Sequence, residues 1–297
     1  MQSSGSASAE PVPGIRVAAW QCAPGPRDVA GNLRRLDRAC ADAAARGAEI
    51  LVTPEMFTTG YALSPADLRD LAEDGGGPAD AAVAGIARRH GIAIAYGHPE
   101  RVSGTRESDG DDHGRGGGSA VSGIANAATL VGPDGMVRGH HRKAHLFGDL
   151  DRELFTPSAG PPAAFDFTSG PDPGPGPGGV RAGMLICYDV EFPEAVRRLA
   201  TGGARIVLVP TANMKGYEDV QRILVRARAY ENGCGVVYAN YCGADEVFAY
   251  NGLSVICGPD GSVLAQAGAD DEELTVADIP LGSSATYLAD RRPDLYG

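Results

Sequence analysis

Lysine is scarce in this sequence. Only Lys143 and Lys215 occur among the 26 basic residues, and the 38 acidic residues leave a formal net charge of −12. A surface this negative repels the phosphates of nucleic acids and anionic lipids, so we expect neither a nucleic acid nor a membrane as a partner. A lysine in a sequence that otherwise uses arginine is a candidate for a role that needs a compact ammonium group.

Several common signatures are also missing. No stretch approaches roughly 18 uninterrupted apolar residues, and the first dozen residues show neither the basic nor the apolar part of a secretory signal. The six cysteines form no Cys-x-x-Cys pair, which disfavours a zinc ribbon or a disulfide scaffold. The nucleophile elbow Gly-x-Ser-x-Gly is absent, and neither lysine stands in a phosphate-binding loop. We therefore expect a cytoplasmic protein with reduced thiols.

What the sequence does contain is an alternation of strand-like and helix-like segments. With 297 residues, of which 43% are hydrophobic and 22% charged, the chain is long enough for one large α/β domain of mixed sheets covered by helices. The predicted strands are 14–21, 49–53, 92–96, 127–131, 136–142, 165–167, 180–187, 206–210, 236–240, 253–257 and 274–277, and the predicted helices are 28–46, 78–89, 192–200 and 218–232.

The domain organisation follows from composition. Residues 1–13 are predicted to form a disordered tail, and residues 14–297 a single domain. Within that domain, segments 103–123 and 169–179 are rich in glycine, serine, proline and charge, and they lack apolar periodicity. Both are predicted to be mobile surface loops.

Three reactive side chains follow the ends of buried strands, where open α/β sheets bind their ligands. They are Glu55, Lys143 and Cys187. Each alone has an ordinary interpretation, as a loop carboxylate, an exposed lysine and a buried apolar cysteine. Together they supply a proton shuttle, a cation for a developing oxyanion and a nucleophile, which is what amide hydrolysis needs.

The segments around these residues resemble the signature blocks of a known family. Residues 54–57 (PEMF), 141–147 (HRKAHLF) and 186–194 (ICYDVEFPE) are similar to those of the nitrilase superfamily of carbon–nitrogen hydrolases, and the resemblance runs from about residue 15 to about residue 279. It implies a four-layer αββα sandwich of two mixed sheets with outer helices. It also implies that no metal or organic cofactor is required.

The resemblance assigns roles residue by residue. Glu55 matches the general base, Lys143 the cation that stabilises the tetrahedral intermediate, and Cys187 the nucleophile. The backbone N–H of Tyr188 completes the oxyanion hole. Many members carry a second glutamate after the lysine block. Here the ungapped spacing selects Asp151, a shorter carboxylate, with Glu153 as the alternative.

Substrate identity is less constrained. Residues 147–152 resemble an amidase branch of the family, which favours a small primary amide, while nitrile hydrolysis and N-carbamoyl cleavage use the same residues and stay open. Family members pair through helices near the cysteine, which implies a homodimer or larger homo-oligomer through 192–200 and 218–232. The candidate substrate-binding residues are Tyr61, Phe147, Tyr188, Glu191 and Asn213.

Two other classes of function are weighed against this one. His140, His141 and His145 lie near one another in sequence and could offer ligands in a metal-binding or redox-sensing module. A catalytically inactive interaction module of the same fold is the other. The presence of all three reactive residue types favours the enzyme.

Overall fold

The structure is a computed structural model that describes residues 14–102, 123–167, 179–282 and 286–295. The predicted tail 1–13 and nearly all of both predicted loops lie outside the described residues. One boundary is corrected: Gly123, assigned to the first loop, is the first residue of a strand. No helix among the described residues is long and apolar enough to cross a bilayer.

The described residues form twelve strands. They are β1 (Gly14–Gln21), β2 (Ile50–Val52), β3 (Ala93–Val102), β4 (Gly123–Val131), β5 (Val137–Arg142), β6 (Phe165–Phe167), β7 (Val180–Met184), β8 (Ile206–Pro210), β9 (Gly235–Ala239), β10 (Val255–Cys257), β11 (Val263–Gln266) and β12 (Glu273–Pro280).

Most of the helices lie between these strands in the sequence, and the last two helical segments follow β12. They are α1 (Val29–Ala45), α2 (Pro65–Leu71), α3 (Pro78–His90), α4 (Gly148–Leu154), α5 (Pro193–Thr201), α6 (Val225–Asn232) and the short α7 (Thr286–Ala289), together with a π-helical turn at Val220–Leu224 and 3₁₀ turns at Cys187–Glu191 and Pro293–Leu295.

The strands make two six-stranded sheets, ordered β12-β1-β2-β3-β4-β5 and β11-β10-β9-β8-β7-β6. Both sheets are mixed. Strands β1, β2 and β3 run parallel to one another, and so do β7, β8 and β9. In the first sheet, β12 pairs antiparallel with β1, and β4 pairs antiparallel with β3. The central strands are buried on both faces, which explains why they read as continuous apolar runs without alternation.

Three apolar clusters define four layers. One cluster joins the facing sides of the two sheets, with Val17 and Val52 of the first sheet packed among residues such as Leu208 and Val237 of the second. Another lies between the first sheet and helices α1 and α3. The third lies between the second sheet and helices α5 and α6. The predicted αββα sandwich is confirmed.

Most predicted elements are present, with differences at their ends. Strands 14–21 and 206–210 match the prediction to the residue. The strand predicted to end at residue 96 continues to Val102 because it pairs along its length with β4. The strand predicted over 180–187 ends at Met184, and the helix predicted over 218–232 begins with the π-helical turn. Helices α2 and α4 and strand β11 were not predicted.

One close approach between backbones sets the position of the loop after β2. A side chain at Gly97 in β3 would place its Cβ 2.9 Å from the Cα of Glu55, closer than nonbonded carbons approach. Only glycine therefore allows this loop to lie directly against β3.

We expect Gly97→Ala to lower the free energy of unfolding by about 1–3 kcal/mol, because the added methyl group forces a backbone shift in a packed region. The matched control is Gly85→Ala in α3, where an added Cβ meets nothing within 4 Å. That change should raise the free energy of unfolding by roughly 0.5–1 kcal/mol through helix propensity. Urea denaturation measures both, and equal effects from the two changes would contradict the close approach.

Candidate active site

The loops after two strands of the first sheet bring a carboxylate and an ammonium group together. Glu55 follows β2 and Lys143 follows β5. The Lys143 Nζ donates to Glu55 Oε1 at 2.7 Å, and both side chains have no exposed surface. A buried charge is tolerated only when it is paired and hydrogen-bonded, so the two groups depend on each other for their charged forms.

A second carboxylate holds the same ammonium group. Asp151 in α4 accepts from Lys143 Nζ at 2.7 Å through Oδ2, and this oxygen also accepts from the backbone N–H of Phe147 at 2.9 Å. Its other oxygen accepts from the Tyr61 hydroxyl at 2.8 Å. Glu153, the alternative by spacing, is exposed to solvent. The shorter aspartate side chain therefore reaches the lysine.

The carboxylate of Glu55 has one engaged and one free oxygen. Oε1 accepts from Lys143 and also from Asn126 Nδ2 at 2.7 Å. Oε2 is buried, and no described residue hydrogen-bonds to it. Buried oxygens without a partner are costly, and at this position the free oxygen is available to accept a proton from a reacting group.

Asn126 was not among the predicted site residues. Its backbone carbonyl accepts from the Lys143 N–H at 2.8 Å, and its side chain fixes Glu55. The antiparallel register pairs Ala127 with Arg142, so the next residues outward on the hairpin are Asn126 and Lys143. The predicted hairpin contained this information, because its register places an amide beside the lysine.

Cys187 begins the 3₁₀ turn that follows β7 in the second sheet. Its φ of +46° is a left-handed conformation that is unusual for a residue with a Cβ, and such strain of about 1–3 kcal/mol is concentrated at functional sites. The other five cysteines are buried, whereas Cys187 is partly exposed. It is therefore the cysteine residue that retains exposed surface.

The three charged groups and the thiol lie within electrostatic range of one another. Burial raises the pKa of the Cys187 thiol well above its usual value, and the charge of Glu55 adds to this more than Lys143 opposes it. Burial also raises the pKa of Glu55, against the effect of Lys143. For Lys143 burial is the largest single cause and lowers the pKa, but the charges of the neighbouring groups, Glu55 first among them, together outweigh burial and raise the pKa of the ammonium group. The thiol is thus protonated at neutral pH, and its activation requires a base.

An aromatic cluster includes Tyr188, the residue that follows Cys187. Phe147 packs edge-on against Tyr188 and Tyr217, with ring centroids 5.2 Å and 5.6 Å apart. Tyr217 was not predicted. The backbone N–H of Tyr188 lies in the first turn of a 3₁₀ helix, where N–H groups have no acceptor within the helix.

The remaining predicted substrate-binding residues differ in surroundings. Tyr61 is only 2% exposed, and its hydroxyl donates to Asp151. It therefore holds the aspartate that pairs with Lys143. Asn213 uses its Nδ2 for the carbonyl of Tyr217 and for the Gln221 side chain, at 3.1 Å each. Glu191 is half-buried, and burial raises the pKa of its carboxyl group.

The three histidines of the metal hypothesis do not point to one common site. His140 bonds Glu100 at 3.0 Å, whereas His141 and His145 both bond Asp189, at 2.9 Å and 2.8 Å. Within the described ranges, no group of three or more histidine, cysteine and carboxylate side chains is arranged to hold a metal ion.

Comparison with known proteins identifies the family that has this geometry. The profile of the carbon-nitrogen hydrolase family matches residues 16–287. The chain belongs to the carbon–nitrogen hydrolase family. It is therefore a hydrolytic enzyme, and the resemblance to the nitrilase superfamily is confirmed.

Individual family members are similar over nearly the whole chain. A protein of Pseudomonas protegens named "Hydrolase in pqqF 5'region" is 44% identical over 95% of this chain and 90% of its own length. The 2-oxoglutaramate amidase of Bacillus subtilis is 31% identical over 84% of this chain and 87% of its own. The crystal structure of an amidase from Nesterenkonia sp. superposes with a TM-score of 0.74 at 34% identity, over 95% of each chain.

Solved structures of variants of the Nesterenkonia amidase show its ligands. In one, the acetamide moiety of fluoroacetamide is covalently added at the active-site cysteine. In another, the amidase is in complex with butyramide.

The pairing of Asp151 with Lys143 can be tested by measuring the thermal stability of two variants. We expect Asp151→Ala to lower Tm by roughly 10 °C, because it leaves the Lys143 ammonium, the Tyr61 hydroxyl and the Phe147 N–H short of a partner in the interior. Glu153→Ala, two residues away and exposed, should shift Tm by less than about 2 °C. Calorimetry measures both. A larger shift from Glu153→Ala than from Asp151→Ala would show that the wrong carboxylate has been paired with Lys143.

Proposed function

We propose that this enzyme hydrolyses small primary amides to carboxylic acids and ammonia through a thioester on Cys187. The observation that carries the proposal is the buried ammonium group of Lys143, held by Glu55 and Asp151 within electrostatic range of the Cys187 thiol. Each element of amide hydrolysis is then assigned to one side chain.

Acylation begins with the protonated thiol. Glu55 accepts the proton of Cys187 through its free oxygen as the sulfur attacks the amide carbonyl carbon. The carbonyl oxygen becomes negatively charged and is stabilised by the Lys143 ammonium and the Tyr188 backbone N–H. Glu55 then gives its proton to the departing nitrogen, the carbon–nitrogen bond breaks, and ammonia leaves a thioester behind.

Deacylation reverses the roles with water as the nucleophile. Glu55 accepts a proton from water as the oxygen attacks the thioester carbonyl, and the same two donors stabilise the second oxyanion. Collapse of this intermediate breaks the carbon–sulfur bond. The proton held by Glu55 returns to the sulfur, and the carboxylic acid leaves.

Asp151 acts on Lys143. An ammonium group with two carboxylate partners keeps one orientation, which fixes the direction of its remaining donor. A fixed donor stabilises charge that develops in the transition state at no cost of reorganisation. We therefore assign Asp151 a positioning role, with Tyr61 and the Phe147 N–H keeping the aspartate itself in place.

The amide substrate class is supported by the relatives. The Bacillus subtilis relative is named for an amide, and the Nesterenkonia amidase is seen with butyramide. Phe147, Tyr188 and Tyr217 form an aromatic cluster that includes the residue next to Cys187, and we assign its apolar surface to the acyl chain of the substrate. Nitriles and N-carbamoyl amines remain the alternative substrates, since they need the same base, cation and thiol.

We also propose that the protein is cytoplasmic and forms a homodimer or a larger homo-oligomer. All six cysteines are free, as in a reducing compartment.

The predicted pairing face, 192–200 with 218–232, presents Ile223 and Tyr230 at 57% and 51% exposure. Sedimentation velocity should give twice the chain mass or a multiple of it, and Ile223→Glu should shift the protein toward monomer. A wild-type monomer at micromolar concentration would contradict the pairing.

The reaction class can be tested with a panel of substrates. We expect ammonia release from primary amides such as propionamide and butyramide, with kcat/KM higher than for the matching nitriles and N-carbamoyl amines, and no turnover by Cys187→Ala. Ammonia detection and product chromatography measure both. Turnover confined to nitriles would contradict the assignment to amides.

The two lysines offer a matched pair of variants. Lys143→Met should lower kcat for the amide by roughly 10²–10³-fold, because the oxyanion loses its charged donor. Lys215→Met should leave kcat unchanged, since Lys215 is exposed and only pairs with Asp270 at 3.3 Å. Circular dichroism checks that both variants are folded. Equal activities of the two folded variants would rule out the role given to Lys143.

A further inference from the structure

One carboxylate outside the cluster described above bonds to both catalytic loops. Asp189 lies in the 3₁₀ turn two residues after Cys187, and it is fully buried. Its Oδ1 accepts from the backbone N–H groups of Ala144 and His145, at 3.2 Å and 2.9 Å. These are the two residues that follow Lys143.

The second oxygen of Asp189 points to the other loop. Oδ2 accepts from the backbone N–H of Ile186 at 3.2 Å, and Ile186 immediately precedes Cys187. The Asp189 N–H in turn donates to the Ile186 carbonyl at 3.0 Å, which closes the turn. One side chain thus bonds to the backbone next to the lysine on one side and next to the cysteine on the other.

Two imidazoles complete the shell of this carboxylate. His141 at the end of β5 donates through Nε2 to Oδ2 at 2.9 Å, and His145 donates through Nδ1 to Oδ1 at 2.8 Å. The His145 ring also stacks on Phe192, with centroids 3.8 Å apart and planes 12° apart. Asp189 therefore accepts five hydrogen bonds, and each oxygen serves both an imidazole and the backbone.

We propose that Asp189 is a positioning residue that sets the distance between the Lys143 ammonium and the Cys187 thiol, and that the hydrogen bond from His145 strengthens this junction. The inference rests on the proposed amide hydrolysis. Lys143 comes from the first sheet and Cys187 from the second, so the sandwich alone fixes their separation only through packing. A misplacement of about 1 Å costs up to about 10²-fold in rate, which is why a direct bond between the loops matters.

The charges around this junction give it a pH dependence. Burial acts to raise the pKa of Asp189, but the hydrogen bonds from the His141 and His145 side chains, the charge of His141 and the backbone N–H of His145 together lower it. The hydrogen bond from Asp189 raises the pKa of His145, with further support from the charges of Asp189 and of Glu194 in α5. A raised histidine pKa means that the stabilisation is complete below the usual value of about 6.5 and declines as pH rises through the raised value.

The first test compares two aspartate-to-asparagine changes. Asp189→Asn keeps the size of the side chain but replaces one acceptor by a donor, so one of the two loops loses its bonds. We expect kcat for butyramide to fall by about 10²-fold with KM changed less than about threefold. Asp149→Asn, at a fully exposed position in α4, should behave as wild type.

Titration of the reactive thiol separates positioning from loss of folded protein. Iodoacetamide labelling mapped to Cys187 counts competent molecules, and kcat is expressed per labelled site. The proposal predicts full labelling of Asp189→Asn with low kcat. A kcat per site within threefold of wild type overturns it, and so does a loss of activity that matches the loss of labelled sites.

His145→Gln gives an independent test even if Asp189→Asn does not fold. Glutamine keeps a donor for Asp189 but carries no charge. We expect the wild-type kcat to decline roughly two- to fivefold as pH rises through the raised pKa of His145, and this decline to be absent in the variant. Parallel profiles would overturn the proposal. A wild-type enzyme that releases ammonia from no amide would instead contradict the proposed function, because failure of the inference leaves wild-type turnover intact.

Discussion

The site depends on one buried ammonium group. Lys143 has no exposed side-chain surface, and such a charge is compatible with the interior only because Glu55 and Asp151 each accept from it at 2.7 Å. The same bonds underlie the chemistry that we propose. In the proposed reaction, the two carboxylates keep the ammonium group in place, and the oxygen of Glu55 without a hydrogen-bond partner accepts a proton. The hydrogen bonds that stabilise the buried charge are thus the same ones that place the groups of the proposed reaction.

Several residues around the site fix the relative positions of Glu55, Lys143 and Cys187. Gly97 allows the Glu55 loop to lie against its neighbouring strand, Asn126 ties that glutamate to the hairpin before Lys143, and Asp189 joins the lysine loop to the cysteine turn. The strained φ of Cys187 is held by this turn. Contacts of glycine and of buried polar side chains at the loop ends therefore position the reactive groups, while the apolar layers form the rigid frame that carries the loops.

The sequence was sufficient to predict the frame of two sheets and their covering helices, but not the contacts around the proposed reactive residues. Continuous apolar runs predicted the buried strands, and the motifs selected Glu55, Lys143 and Cys187. Strand β11 was missed because its residues are largely exposed and show no apolar face. Asn126 follows from the hairpin register, whereas the contact of Asp189 with the lysine loop depends on how the two sheets pack. No local pattern carries that information.

The most direct test of the account is the mass of the enzyme during turnover. Wild-type protein mixed rapidly with a slowly hydrolysed amide and quenched in acid should gain the mass of one acyl group, and peptide mapping should place it on Cys187. Addition of hydroxylamine should remove it, as expected of a thioester. An acyl group on another residue, or steady ammonia release by Cys187→Ala, would contradict the central claim.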